Sequence, residues 1–314
     1  MTMRRTIILI AALSLAAACG GGGGDRSILP PVPEGAQAMS LTGRPLASPP
    51  PADGALAELE AARKAWEADP ESADALIWLG RRTAYAGDYR EAIRVFSRGI
   101  AMFPDDARFY RHRGHRYITI REFDRAVRDL ERAAALVEGK PDEIEPDGQP
   151  NPRGIPVSTL HSNIHYHLGL AHYLKRDFAR ARAVYLRGLA SAPNDDMRVA
   201  TSHWLYLTLR RLGLGDEAGQ VLEAVRPGME VIENQVYHRL CLFYKGEIAE
   251  AAVAGEGEGS VMNDAAAYGL GCWRLVNGDA AGADAFFTRI LEGPAWASFG
   301  HIAAESERAP HYRP

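Results

Sequence analysis

The sequence predicts an all-α fold built from stacked helical hairpins. Three observations carry that expectation. Small and apolar residues recur at helical spacing in one segment after another. One hairpin-sized stretch returns 34 residues further on. No convincing run alternates with the period of a strand. At 314 residues, 46% hydrophobic and 24% charged, the composition is that of an ordinary globular protein with ample material for a core.

Met1 to Ala18 reads as a targeting segment outside the fold, with Arg4 and Arg5 before the apolar run Ile7 to Ala18. It ends in Leu15-Ala16-Ala17-Ala18-Cys19, followed by five glycines. This resembles a bacterial lipobox, although Leu15 lies one position further from the cysteine than usual. The resemblance implies lipidation at Cys19, attachment to a membrane of the bacterial envelope and, since Gly20 follows where inner-membrane retention shows Asp, the periplasmic face of the outer membrane. Ala16 and Ala18 would also suit ordinary signal peptidase, which would give a soluble exported protein. Residues 19–53, rich in Gly and Pro and closing on Pro49-Pro50-Pro51, are expected to form a disordered tether. The glycine run is no phosphate loop, because neither a preceding strand nor a following Lys-Ser/Thr accompanies it.

The helical region is expected over 54–308. Leu59, Ala62, Ala65 and Trp66 mark a lone helix ending near Pro70. In 73–106, Leu76, Leu79, Gly80 and Thr83 form one stripe, and Ala92, Phe96, Gly99 and Ile100 form a second. Gly80 and Ala92 are small where two helices cross, and Phe96 fills the space beside them. Asp88 suits the cap of the second helix, with Gly87 relaxing the turn. In 107–137, Gly114 stands for Gly80, Phe123 for Tyr89 and Ala126 for Ala92. Residues 138–157 interrupt the period with an acidic, Pro-rich insertion, expected to be a solvated loop. Its Asp142, Glu143, Glu145 and Asp147 lack the spacing of a calcium loop. The repeat returns in 162–195 with Leu168, Gly169, Phe178, Ala181, Tyr185 and Gly188, and Ser158 is placed as its cap. Degenerate units follow at 196–228, 230–254 and 263–291, with a terminal helix at 295–308 covering the apolar end of the stack.

A two-helix unit of this period and with these small and aromatic positions resembles the tetratricopeptide repeat. The resemblance implies a right-handed superhelical solenoid whose inner groove, lined by the first helix of each repeat, binds a peptide or protein segment. Mapped onto this chain, the lining is Ile77, Trp78, Arg81 and Tyr85 from the first repeat, and Arg108, Arg111, His112 and His115 from the second. Asn163, Tyr166, His167 and Tyr173 come from the third, and His203, Trp204 and Arg210 from the looser fourth. Arginine suits carboxylates and aromatic rings supply area, so an acidic partner or a free C-terminus is expected. The Lys/Asn carboxylate clamp of chaperone-binding relatives is missing.

Other classes are less well supported. A net charge of −4 argues against nucleic acid as a partner. No G-x-S-x-G or nucleotide fingerprint is present, so no enzyme and no cofactor are expected. Six of the ten histidines lie between His112 and His172. Pairs such as His161 and His165, or His112 and His115, would hold a metal only if further ligands converged. Cys241 and Cys272 are either buried thiols or a disulfide. A structural subunit using the convex face or the acidic loop remains the alternative to groove binding.

Overall fold

Residues 29–253 and 261–309 are described by the computed structural model; the targeting segment and Cys19 lie outside them. The described chain carries thirteen α-helices in an all-α repeat fold. After α1 (Ala55–Ala68), three regular hairpins follow: α2 (Ala73–Tyr85) with α3 (Tyr89–Met102), α4 (Ala107–Thr119) with α5 (Phe123–Val137), and α6 (Leu160–Leu174) with α7 (Phe178–Ala190). Looser units follow. These are α8 (Asp195–Arg211) with α9 (Gly215–Glu223), then α10 (Gln235–Tyr244) with a single 3₁₀ turn at Glu250–Ala252. Finally α11 (Val261–Val276) pairs with α12 (Ala280–Glu292), and α13 (Phe299–Arg308) ends the fold.

The hairpins close as the small residues require. A Cβ on Gly80 would enter the Phe96 ring, and one on Gly169 would enter the ring of Tyr185, a fully buried side chain. Leu76, Leu79, Ala92, Phe96 and Phe109 form one continuous cluster. Asp88 caps α3 by accepting from Glu91 N at 3.0 Å. The cap of α6 is Thr159 rather than Ser158, since Thr159 and Ser162 exchange bonds in a capping box.

Two expectations need correction. Residues 29–53 are not wholly a tether. Ala38–Met39 (β1) and Pro45–Leu46 (β2) pair antiparallel, a two-stranded ribbon in a chain expected to have no sheet. Ala36, Ala38 and Leu46 are buried. This strap is held from both ends of the helix stack. Ser48 Oγ donates to Gly87 O at 2.6 Å and Arg90 N to Gln37 Oε1 at 3.1 Å. Trp296 Nε1 donates to Ala47 O at 2.7 Å, and Leu41 N to Glu305 at 3.1 Å.

The terminal helix does not simply cover the end of the stack. α13 packs against α11, α12 and α6, and arginines of the early turns hold it. Arg121 lies between α4 and α5 and Arg176 between α6 and α7, each where the first repeat has Gly87. All three adopt the left-handed region, with φ of 89° at Gly87, 67° at Arg121 and 62° at Arg176. That conformation is strained for a residue with a Cβ. Arg121 donates to both Glu305 oxygens at 2.6 and 3.0 Å and to Trp296 O at 2.8 Å. Arg176 meets Glu307 at 3.1 Å, and Arg211 pairs with the same carboxylate. Two turns thus accept strain where their side chains hold the last helix.

Candidate ligand-binding site on the first-helix face

α2, α4, α6 and α8 contact one another in turn and make one face from the first helices. Its polar centre is Arg81, Arg111, His112, His115 and His167, joined by Arg116. Helical spacing puts Arg111 and His115 on one side of α4, and the neighbouring helices bring Arg81 and His167 to them. Arg111 donates to His112 Nδ1 at 2.9 Å, which leaves His112 neutral with its proton on Nε2. Burial, and then the Arg111 charge, hold the His112 pKa well below its usual range. His115 and His167 are held well down by burial and adjacent arginines. Their rings lie 4.3 Å apart, with Phe299 of α13 packed against both. His167 Nδ1 donates to Asn163 O at 2.6 Å.

The insertion is the largest departure from expectation. Most of its residues stand in solvent, as expected, but Glu145 and Gly148 seat it across this face. Glu145 N donates to Ser158 O at 3.1 Å, and Ile144 bridges to Thr159, pinning the insertion to the entry of α6. The Glu145 side chain is 10% exposed. One of its oxygens lies 3.0 Å from Arg111 Nη2 and 3.7 Å from His112 Nε2, and the other accepts from Asn163 Nδ2 at 3.1 Å. Gly148 lies so close to the ends of Tyr85 and Arg81 that an added Cβ would have to displace them, and its carbonyl accepts from Arg82 at 3.1 Å. Asp142 helps cap α6, accepting from His161 N at 3.0 Å and Thr159 Oγ1 at 2.6 Å.

The lining expected from the sequence therefore divides. Arg81, Arg111, His112, His115, Tyr166 and His167 do come together, but mostly buried beneath the chain's own loop and α13 rather than along an open groove. Trp78 and Tyr85 stand beside them, with the Arg81 guanidinium 4.3 Å from the Trp78 ring. Arg108 leaves the group, clasping Asp106 and Asp74, each at 2.6 Å. Arg210 also leaves, bound to Tyr206 and Asn277. Tyr173, His203 and Trp204 are core residues. Trp204 Nε1 donates to Tyr166 Oη at 2.9 Å, and Tyr173 accepts from Tyr268 at 2.9 Å. Arg116, Tyr237, Phe299 and Glu145 belong to the site and were missed. Only Glu145 carried a signal, one glutamate in an acidic run, with nothing to single it out.

The six histidines from His112 to His172 fall into two groups. His161, His165 and His172 line a separate groove between α5 and α7 with Arg180 and Arg187. Among the described residues no group of three His, Cys, Asp or Glu is placed to hold a metal ion. Cys241 and Cys272 are buried free thiols, and burial pushes the Cys272 pKa up to about 12. No helix among the described residues is long and apolar enough to cross a membrane.

Residues 80–144 and 159–196 match the tetratricopeptide repeat family. The fold is accordingly an all-α fold of the tetratricopeptide-repeat type. No curated protein matches the chain in sequence. Among solved structures, MamA is similar at 19% identity over 60% of this chain and 90% of its own, with a TM-score of 0.41. YrrB, described as a TPR protein with an unusual peptide-binding site, is similar at 16% identity over 78% and 96%, also at 0.41. A chain of the complex of Naa15/Naa10 bound to HypK-THB is similar at 14% identity over 76% and 34%, at 0.37.

Proposed function

We propose that this protein is an interaction scaffold, without catalysis of its own, that holds an acidic protein segment on the first-helix face. The observation that carries the reading is the seat of Glu145. Arg111, His112 and Asn163 together hold one carboxylate, and the chain's own insertion supplies it. Such a seat suits an Asp or Glu side chain, or a free C-terminus, of a partner. The partner has to displace residues 138–157, so the insertion acts as a competing internal ligand and the measured affinity falls with the fraction of open protein. Lipid on Cys19 and the envelope localisation complete the proposal, supported by the basic-apolar segment before that cysteine.

The test is capture of partners from native envelope by the intact protein. Arg81→Glu with Arg111→Glu is expected to abolish capture while leaving the helical circular dichroism signal in place. Capture at wild-type level by that variant would remove this face as the site. Separately, Cys19→Ala is expected to release the protein from carbonate-washed membranes; unchanged retention would refute anchoring through Cys19.

A further inference from the structure

Beneath the seated insertion lies a cavity of about 160 Å³ lined by Arg81, Arg111, Arg116, Tyr85, His115 and Glu145. Its charges do not balance. Arg111 is matched by Glu145, but among the described residues neither Arg81 nor Arg116 has a carboxylate within ion-pair distance. Arg81, 7% exposed, reaches only the Tyr85 hydroxyl at 3.4 Å and the Trp78 ring. Arg116 has only the Tyr89 ring, 5.6 Å from its guanidinium carbon. The Nε atoms of Arg81 and Arg111 are buried without a hydrogen-bond partner. Asp147 also borders the cavity, but its Oδ1 accepts from Gln149 N and no arginine pairs with it. The three nearby histidines are held neutral and add no charge to the cavity. Burial lowers the Arg116 pKa to about 10, which leaves it charged at neutral pH. Buried charges left unpaired are costly, and native proteins ordinarily pair them.

We propose that this cavity binds a phosphate-type oxyanion between Arg81, Arg111 and Arg116, as inorganic phosphate or as a phosphate monoester. The three guanidinium groups outnumber the two carboxylates that border the cavity, and Arg81 and Arg116 pair with neither, so an anion with several acceptor oxygens such as a phosphate monoester fits between them. The planar fork of arginine matches phosphate oxygens in bidentate fashion. A carboxylate brings a single charge, and Glu145 already supplies one. A second cavity of about 360 Å³ adjoins the first through Arg111, His115 and Ser158 and is lined by Tyr166, Tyr237 and Phe299, leaving room for the group an ester would carry. The anion fits with the insertion in place, so the site goes beyond partner binding and does not depend on it.

The experiment titrates the intact protein with sodium phosphate, phenyl phosphate and sodium acetate, each against sodium chloride at matched ionic strength, following calorimetry and the melting temperature. Saturable heat and a rise in melting temperature are expected with phosphate and not with acetate or chloride. Tighter binding of phenyl phosphate identifies a monoester as the ligand, and equal or weaker binding identifies the free anion. Arg116→Gln is expected to weaken phosphate by at least about tenfold and to leave the melting temperature of the ligand-free protein unchanged, because Arg116 is half-buried and makes no ion pair among the described residues. The exposed Arg132→Gln is expected to change neither. A response to phosphate no larger than that to chloride, an equal response to acetate, or full phosphate binding by Arg116→Gln would overturn the site. Arg116 belongs to the same face but does not hold the Glu145 carboxylate, so failure here leaves that reading standing, and failure of partner capture leaves the anion site standing.

Discussion

The three regular hairpins, α2 to α7, and the later units, α8 to α13, are stabilised largely by different means, although α11 and α12 keep the early contact in Gly271 under Phe287. In the first region each hairpin repeats one contact, a glycine of the first helix under a large side chain of the second: Gly80 with Phe96, Gly114 with Leu130, Gly169 with Tyr185. Helices there run 13 to 15 residues. In the second region α9 has nine residues and α10 ten, and the partner of α10 shrinks to three residues in a 3₁₀ turn. Polar anchors over longer distances take over. The carboxylate of Asp196, 1% exposed, accepts from the backbone of Ile232, Glu233 and Asn234 at 2.7 to 2.8 Å and so fixes the entry to α10. Arg121 and Arg176 hold Glu305 and Glu307. Nearest-neighbour packing suffices where the repeat is regular. Where it decays, charged groups from distant turns set the position of the helices.

The largest expected effect breaks that second mode. Glu305→Ala leaves Arg121, whose side chain is 3% exposed, without its carboxylate. A loss of about 3–5 kcal/mol is expected in urea unfolding. A loss below about 1 kcal/mol, the range of a surface pair, would mean that α13 is not held by this contact. Next comes a pair of identical substitutions with opposite signs. Gly169→Ala drives a methyl group into Tyr185 and is expected to cost about 1–3 kcal/mol. Gly219→Ala, within α9, meets nothing within 4 Å and is expected to stabilise by up to about 1 kcal/mol. Thermal melts of the two variants moving in the same direction would erase the contrast between the regions.

Acid sharpens the comparison further. Burial lowers the pKa of His172 to about 4 and that of His203 to about 3, and pushes His112, His115 and His167 well down. The unfolded chain then binds more protons than the folded one below the ordinary histidine pKa of about 6.5. Stability is therefore complete above that pH and falls as pH drops toward 4. Against its burial, the hydrogen bonds and charge of Arg121, with His301 beside it, hold Glu305 down to about 2; its contribution is lost only below about pH 4.5. Urea midpoints are expected to decline from pH 7 to 5, as the histidines of the unfolded chain take up protons. His167→Gln is expected to flatten part of that decline. The smallest effect is at a helix cap: Ser72→Ala removes the bond to Ala75 N at 3.2 Å and is expected to cost about 1 kcal/mol.

What the sequence made legible follows the same division. The hairpins of α2 to α7 were readable because Gly80, Gly114 and Gly169 stand at fixed distances from the large side chains they admit, a local and periodic signal. The strap was not, because Ala38 and Leu46 are buried by distant partners and the segment has no period of its own. Arg121 and Arg176 carried no signal, since nothing in the sequence pairs a turn with a helix more than a hundred residues away. At the candidate site, the repeat resemblance set Arg81, Arg111, His115 and His167 on one face, and the structure gathers them around two adjoining cavities. The resemblance could not register the insertion, whose one decisive residue, Glu145, sits among acidic neighbours that face elsewhere. Arg108 and Arg210 shared the right stripe and were drawn away by local partners.

Whether the insertion is seated on the first-helix face is tested most directly by a double-mutant cycle between Glu145 and Arg111, the two side chains joined at 3.0 Å. Urea unfolding of Glu145→Gln, Arg111→Gln and the double variant gives their coupling free energy without any knowledge of the partner. A coupling of about 0.5–3 kcal/mol is expected for side chains in direct contact. Additive effects, with a coupling indistinguishable from zero, would mean that Glu145 does not occupy this seat and that the insertion leaves the face open.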